Sequence, residues 1–184
     1  MGTGISSNYD QVTYIFTSGC WKVHSAVSKT NNQRVCLWQI DQDLLYNMVP
    51  DPSLQTSCLQ GYLNGIKIAQ KIIHPRVLKI LQIQDNLSSL AFSSEPVSSC
   101  LTTLIGSLDI NDSSYIGYQI LDGLSFMHNG AKMLHLGLSP SAIFLNETLS
   151  VKIFNFNWSI AMSNQGPTNL SYPQFRIDPT MPDV

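Results

Sequence analysis

The stretch from Met133 to Phe156, MLHLGLSPSAIFLNETLSVKIFNF, decides how the rest of the chain is read. Two apolar runs, Ile143-Phe144-Leu145 and Val151 to Phe154, flank Asn146-Glu147 and form the pattern of a small hairpin. A loop built on His135, Gly137 and Leu138 precedes them, and the turn Asn155-Phe156-Asn157 follows. The apolar scaffold of this loop, hairpin and turn is complete. Its would-be chemical positions are not: Gly137 has no side chain, Ser139 and Ala142 bring neither charge nor metal ligand, and Asn155 and Asn157 offer only neutral oxygens.

The surrounding composition is that of a folded domain. Of 184 residues, 43% are hydrophobic and 12% charged, and the mean hydropathy is +0.04, which implies one domain with a real core. A formal charge of -2, with no cluster of Lys and Arg, argues against nucleic acid as a partner. Cys20, Cys36, Cys58 and Cys100 lie far apart with no C-x-x-C pair, so the expectation is reduced, mostly buried thiols rather than a zinc site or a disulfide framework. No apolar run reaches the roughly 18 residues of a membrane span, and no signal-peptide pattern is present, which points to the cytosol. Sequons at Asn86, Asn111, Asn146 and Asn169 carry no meaning there. The start Met1-Gly2-Thr3-Gly4-Ile5-Ser6 fits the short myristoylation pattern, leaving open a weak membrane attachment through Gly2.

Outward from the opening stretch, the spacing of residues predicts the elements. Val12–Phe16, Trp21–Val27 and Gln33–Ile40 read as a three-stranded meander. After Pro50-Asp51-Pro52, apolar residues from Leu54 to Ile73 keep the three-to-four spacing of one helix face, stopping before His74-Pro75. Leu78–Ile83 and Leu87–Ser93 follow as strands around an Asp85-Asn86 turn. From Glu95-Pro96 the pattern turns helical: a short helix with Leu101, Leu104 and Ile105, then one with Ile116, Ile120, Leu121, Leu124 and Met127, capped by Asp112 or Ser113. Beyond Ile160 the Asn, Ser, Pro and Gly content predicts a loop without regular structure.

This order resembles the protein-kinase fold. A kinase carries H-R-D-L-x-x-x-N at the loop and D-F-G at the turn, aligned here with His135 to Ala142 and Asn155 to Asn157. Trp21-Lys22-Val23-His24, His74-Pro75-Arg76, Glu95-Pro96-Val97 and Leu124 to His128, in this order, resemble the Scy-like pseudokinases, closest to their coated-vesicle-associated branch. Ile177 to Pro182 resembles the segment before that family's A-P-E-like motif. The resemblance implies an α+β, protein-kinase-like fold: a five-stranded antiparallel N-lobe with one inserted helix over residues 9–97, and an incomplete, mainly helical C-lobe over 98–184.

Position by position, the resemblance implies a vestigial ATP cleft. Setting Val23 on the last residue of G-x-G-x-x-G-x-V places Phe16, Ser18 and Trp21 on the three glycines, with Gly19 one place off register. Trp38 stands for the phosphate-binding lysine of the third strand, either plugging the site or simply packing in the core. Ile66 stands for its glutamate partner, and no Asp or Glu occurs from Leu54 to Ile73. Gly137 stands for the catalytic aspartate, Ser139 for the following lysine, Ala142 for the metal-binding asparagine and Asn155 for the metal-binding aspartate. Phosphoryl transfer rests on positioned charge and Mg²⁺, so neither ATP nor Mg²⁺ is expected. His135 and Glu95-Pro96-Val97 read as structural.

The implied role is a non-catalytic scaffold for protein partners, clathrin or adaptor coat components among them, peripheral on Golgi and endosomal vesicles. Two alternatives remain open on sequence: an atypical kinase with weak ATP binding and residual transfer, and a truncated product whose Ile116–Met127 helix exposes an unpartnered apolar face.

Overall fold

The computed structural model describes residues 8–84, 86 and 89–162. The Gly2 pattern, the Ile177–Pro182 motif, the Pro-rich region after Met162, and Asp85 and Leu87 of the expected strand pair lie outside the described residues.

The meander forms as β1 (Tyr9–Ser18), β2 (Trp21–Ser28) and β3 (Arg34–Ile40). Its first reversal is Gly19-Cys20, where Gly19 takes the left-handed φ of +54° that suits a residue without a Cβ. Antiparallel register sets Ser18 opposite Trp21 and Val23 opposite Trp38. β4 (Ile80–Gln84) and β5 (Ala91–Ser94) complete a five-stranded sheet in the order β1-β2-β3-β5-β4.

Two helices join β3 to β4. The longer, α2 (Pro52–Lys71), is the expected one: Asp51 caps it by accepting from Ser53 N at 2.9 Å, and Pro52 opens it. Leu59, Leu63, Ile66 and Ala69 are its buried stripe. The shorter, α1 (Gln42–Met48), is a finding the spacing of apolar residues did not predict. Asp41 caps it through Leu44 N at 3.3 Å, and Leu45 is its one buried residue.

After the connection Glu95–Ser98 come β6 (Ser99–Cys100), α3 (Leu101–Leu104), α4 (Ile110–Asn129) and β7 (Met133–Leu134). Then a 3-10 turn Pro140–Ala142 leads into the hairpin β8 (Ile143–Leu145) and β9 (Val151–Ile153), and a second turn Phe156–Trp158 precedes β10 (Ile160–Ala161). The cap of α4 is neither Asp112 nor Ser113. It is Asp109, whose carboxylate accepts from Asp112 N at 2.8 Å, so the helix starts earlier and Asp112 falls in its first turn. The expected unpartnered face is corrected in part: Ile116 and Met127 are buried, whereas Leu121 is exposed, as are Ile110, Tyr115 and Tyr118 elsewhere on α4.

One apolar core runs through both halves, taking Phe16, Trp21 and Trp38 from the sheet, Ile66 from α2, Met127 from α4 and Phe144 from the hairpin. Polar bonds reinforce the seam. Arg76 donates to Asp122 at 3.2 Å and to Ser150 at 3.3 Å, and its backbone oxygen accepts from Ile153 N at 2.7 Å. Buried Gln119 donates to Leu149 O at 2.9 Å and accepts from Val151 N at 3.0 Å, satisfying both ends of its amide. Gly123 leaves no room for a side chain: an added Cβ would stand 2.7 Å from Ile153 Cδ1 and 3.0 Å from Arg76 Cβ.

Candidate functional site

Between the sheet and the β8–β9 hairpin, where the kinase resemblance places the nucleotide, aromatic side chains pack together. Trp38 is 0% exposed. Its ring stacks on Phe92 at 5.3 Å and meets Phe144 edge-on at 4.8 Å and Phe154 at 5.5 Å. Phe16 lies against the same group, 6.1 Å from Phe144 and 6.4 Å from Trp38. These are favourable aromatic geometries. The indole N–H of Trp38 donates to Ser94 Oγ at 2.8 Å, and that hydroxyl donates to Glu95 O at 2.8 Å, so its polar end is satisfied too. Trp38 is therefore a fully packed core residue. Val23, its cross-strand neighbour, is equally buried.

The connection between the halves is engaged from within. The Cys36 thiol sits 3.3 Å from both the nitrogen and the oxygen of Val97, accepting from one and donating to the other. Burial raises its pKa, with the Val97 hydrogen bond acting the other way. Together with the Ser94 bond to Glu95 O, this gives the backbone groups of the connection partners within the fold.

A second set of bonds ties β1 and β2 to the loop. The backbone oxygen of Ser141 accepts from Ser18 Oγ at 2.9 Å and from Asn155 Nδ2 at 3.1 Å. Asn155 Oδ1 in turn accepts from Trp21 Nε1 at 3.2 Å. Asn155 adopts a left-handed conformation (φ 68°, ψ 51°), which asparagine tolerates better than most residues. Both ends of its amide thus hold protein groups together. An aspartate in the same place could accept from Trp21 but could not donate to Ser141.

The other predicted positions are packed or plain. Ile66 and Ala142 are 0% exposed. The Ser139 hydroxyl bonds only its neighbour Ser141 at 2.8 Å. Gly137 lies beneath Trp158, whose Cδ1 is 3.1 Å from the position of an added Cβ. His135 is buried, and its Nδ1 accepts from Gly137 N at 3.3 Å, so Nε2 carries the proton and donates to Phe154 O at 3.0 Å. Burial lowers its pKa despite the Phe154 bond, which favours this neutral structural tautomer. Asn157 packs against α2, with its Oδ1 buried and lacking a hydrogen-bond partner. Among the described residues, no three His, Cys, Asp or Glu side chains come together as a metal site. No helix among them is long and apolar enough to cross a membrane.

Sequence reasoning located Trp38, Ser18, Val23 and Asn155 but not Phe144, Cys36 or the Ser141 carbonyl, which the structure joins to them. A backbone carbonyl has no signature, and the thiol looked like an ordinary buried cysteine.

Five strands with helices inserted between the third and fourth, a connecting segment, and a loop, hairpin and turn facing the sheet define the protein-kinase architecture. A model of the protein kinase domain matches residues 19–178, and the chain belongs to that family. Its similarity extends over the whole chain to SCY1-like protein 2 of Mus musculus and of Homo sapiens, each 26% identical over 204 aligned residues. The protein kinase-like protein SCY1 of Saccharomyces cerevisiae is 23% identical over 98% of the chain. Mitogen-activated protein kinase 2 of Pneumocystis carinii is 28% identical over 83% of it. The chain spans 22% of the length of the mouse and human relatives and 26% of the yeast one.

Proposed function

We propose that this chain is a catalytically inactive kinase-like module that acts by binding other proteins. The observation that carries the reading is the occupied cleft: Phe16, Trp38 and Phe144 fill the nucleotide space, and the asparagine in the metal-binding position is spent on Trp21 and Ser141. A nucleotide would have to displace a buried tryptophan, and removing such a residue from a core is worth about 3–5 kcal/mol. That loss offsets most of the roughly 4 kcal/mol of a millimolar ligand. Gly137 supplies no group to accept a proton from a substrate hydroxyl, and no neighbouring carboxylate replaces it in the loop. Mg²⁺ favours hard anionic oxygen ligands, which Asn155 and Ala142 do not provide.

The likeness to SCY1-like proteins supports a scaffold role for the longer protein in coat-dependent vesicle traffic, with clathrin or adaptor proteins as partners and no need of Mg²⁺-ATP. The test is thermal unfolding of the purified chain with ATP, with and without Mg²⁺. A ligand that binds only the native state raises the midpoint once its concentration exceeds Kd. No shift is expected at millimolar ATP in a cooperatively folding sample. A saturable rise would overturn the reading and restore a nucleotide-binding module.

A further inference from the structure

None of the positions aligned with kinase chemistry bears sulfur, yet three sulfur-bearing side chains converge where α1 and α2 meet the first reversal of the sheet. Cys20 ends the turn between β1 and β2, and its backbone oxygen accepts from Asp41 N, at the start of α1, at 2.7 Å. Its thiol donates to Sδ of Met48, the last residue of α1, at 3.7 Å. The Tyr62 hydroxyl, from α2, hydrogen-bonds the same thiol, and the Tyr62 ring meets Trp21 edge-on at 5.5 Å. Cys58 stands four residues before Tyr62 on the same face of α2. Helical side chains lean toward the N-terminus, so the Tyr62 ring lies over the turn that carries Cys58 and directs both toward Cys20. The two thiols are near enough for charge on Cys20 to oppose ionisation of Cys58.

Two thiols and a thioether are a soft ligand set. Structural zinc sites take four ligands from thiolate, imidazole and carboxylate. Thiolate with thioether instead selects Cu⁺, which is satisfied by three ligands. The spacing fits as well: with metal–sulfur bonds of about 2.3 Å, two sulfurs 3.7 Å apart subtend roughly 107° at one ion. Opening the pair by about 0.3 Å gives the 120° of a trigonal site at that same bond length. Asp41, whose charge reaches Cys20, is engaged by Lys22 at 2.7 Å and by Leu44 N. Access is through the outer ligands, because Cys20 is 1% exposed whereas Met48 is 60% exposed and Cys58 half-buried.

We propose that Cys20, Met48 and Cys58 bind one Cu⁺ ion. Binding releases the two thiol protons to solvent and leaves two thiolates and a neutral thioether on the metal, with no change of oxidation state. The ion fastens α1 and α2 to the Gly19-Cys20 reversal, three segments that come from separate parts of the chain.

The full 184-residue chain, reduced and kept free of oxygen, is titrated with Cu⁺ against a chromophoric Cu⁺ chelator while the methionine methyl groups are followed by NMR. One equivalent should be withheld from the chelator, and the Met48 methyl should shift while that of buried Met127 stays in place. Changing a residue that merely supports a metal ligand costs about 10- to 100-fold in affinity, so Met48→Leu and Cys58→Ser, which each remove a ligand, should cost at least about tenfold. Met48 is exposed and leucine is close to it in size, so that variant stays informative if a cysteine variant folds poorly. An unmoved Met48 methyl, or an affinity unchanged in either folded variant, would mean that copper is held by thiols at random and would overturn the proposal. Neither readout depends on whether ATP binds.

Discussion

Replacing Gly65 by alanine should destabilise the fold, although the same change ordinarily strengthens a helix. Gly65 lies in the middle of α2, where glycine is less favourable than alanine by about 1 kcal/mol. An added Cβ, however, would run into Asn157 Oδ1 and stand 2.9 Å from Asn157 N and 3.0 Å from Phe156 C. The side-chain oxygen could rotate away, but the two backbone atoms belong to the turn that follows Asn155 and move only if that turn moves. Overpacking of this kind costs about 1–3 kcal/mol. Set against the propensity gain, the net loss is up to about 2 kcal/mol. Gly61, one turn earlier on the same helix, and Gly117 on α4 have nothing within 4 Å of an added Cβ. Gly61→Ala and Gly117→Ala should each therefore gain about 0.5–1 kcal/mol. Urea unfolding of the three variants reads the contrast as opposite displacements of the midpoint at constant slope. If Gly65→Ala shifted the midpoint upward like the other two, α2 could not be packed on the Phe156–Trp158 turn, and the closed cleft would lose one of its walls.

Trp38→Ala should cost about 3–5 kcal/mol in the same assay, with Ser94 losing its donor as well; a loss under 1 kcal/mol would contradict the buried aromatic cluster. Asn155→Asp, which restores the residue of an active kinase, should lower stability by about 0.5–1.5 kcal/mol because Ser141 O loses one of its two donors and keeps Ser18 Oγ. It should also produce no Mg²⁺-dependent rise in melting temperature with ATP; such a rise would show that a single carboxylate is enough to rebuild the site. For pH, the lowered pKa of buried His135 means that the unfolded chain takes up a proton first as pH falls below about 6.5. The stability carried by the neutral ring is then present above that pH and lost as pH falls through the window down to the folded pKa. His24 and His74 are lowered as well, also by burial first, so His135→Asn should flatten the fall in urea midpoint below pH 6.5 without abolishing it. A slope identical to that of the parent chain would count against the His135 assignment.

The β-branched and aromatic runs of β2 and β3 and the three-to-four stripe of α2 were legible in sequence, and the loop from His135 announced its partner elements. α1 escaped because seven residues with one buried leucine hold no stripe, although Asp41 three places before Leu44 is a cap in plain sight. β6, β7 and β10 are two residues each and exist only through their partners. In the site, residue identities pointed to Trp38, Gly137 and Asn155 because a known pattern gave each position a meaning. The connections among them could not be read, since they join β1 to Ser141 across 123 positions and Trp21 to Asn155 across 134. One of their shared partners is a main-chain oxygen.

The Cys36 thiol clasped by Val97 has a pharmacological consequence. Compounds built to imitate the edge of a purine seek a free backbone donor and acceptor on the segment between the lobes, and here both Val97 groups already have a partner. Such compounds would find neither Val97 backbone group free in this domain. A reagent against it would have to make its contacts elsewhere.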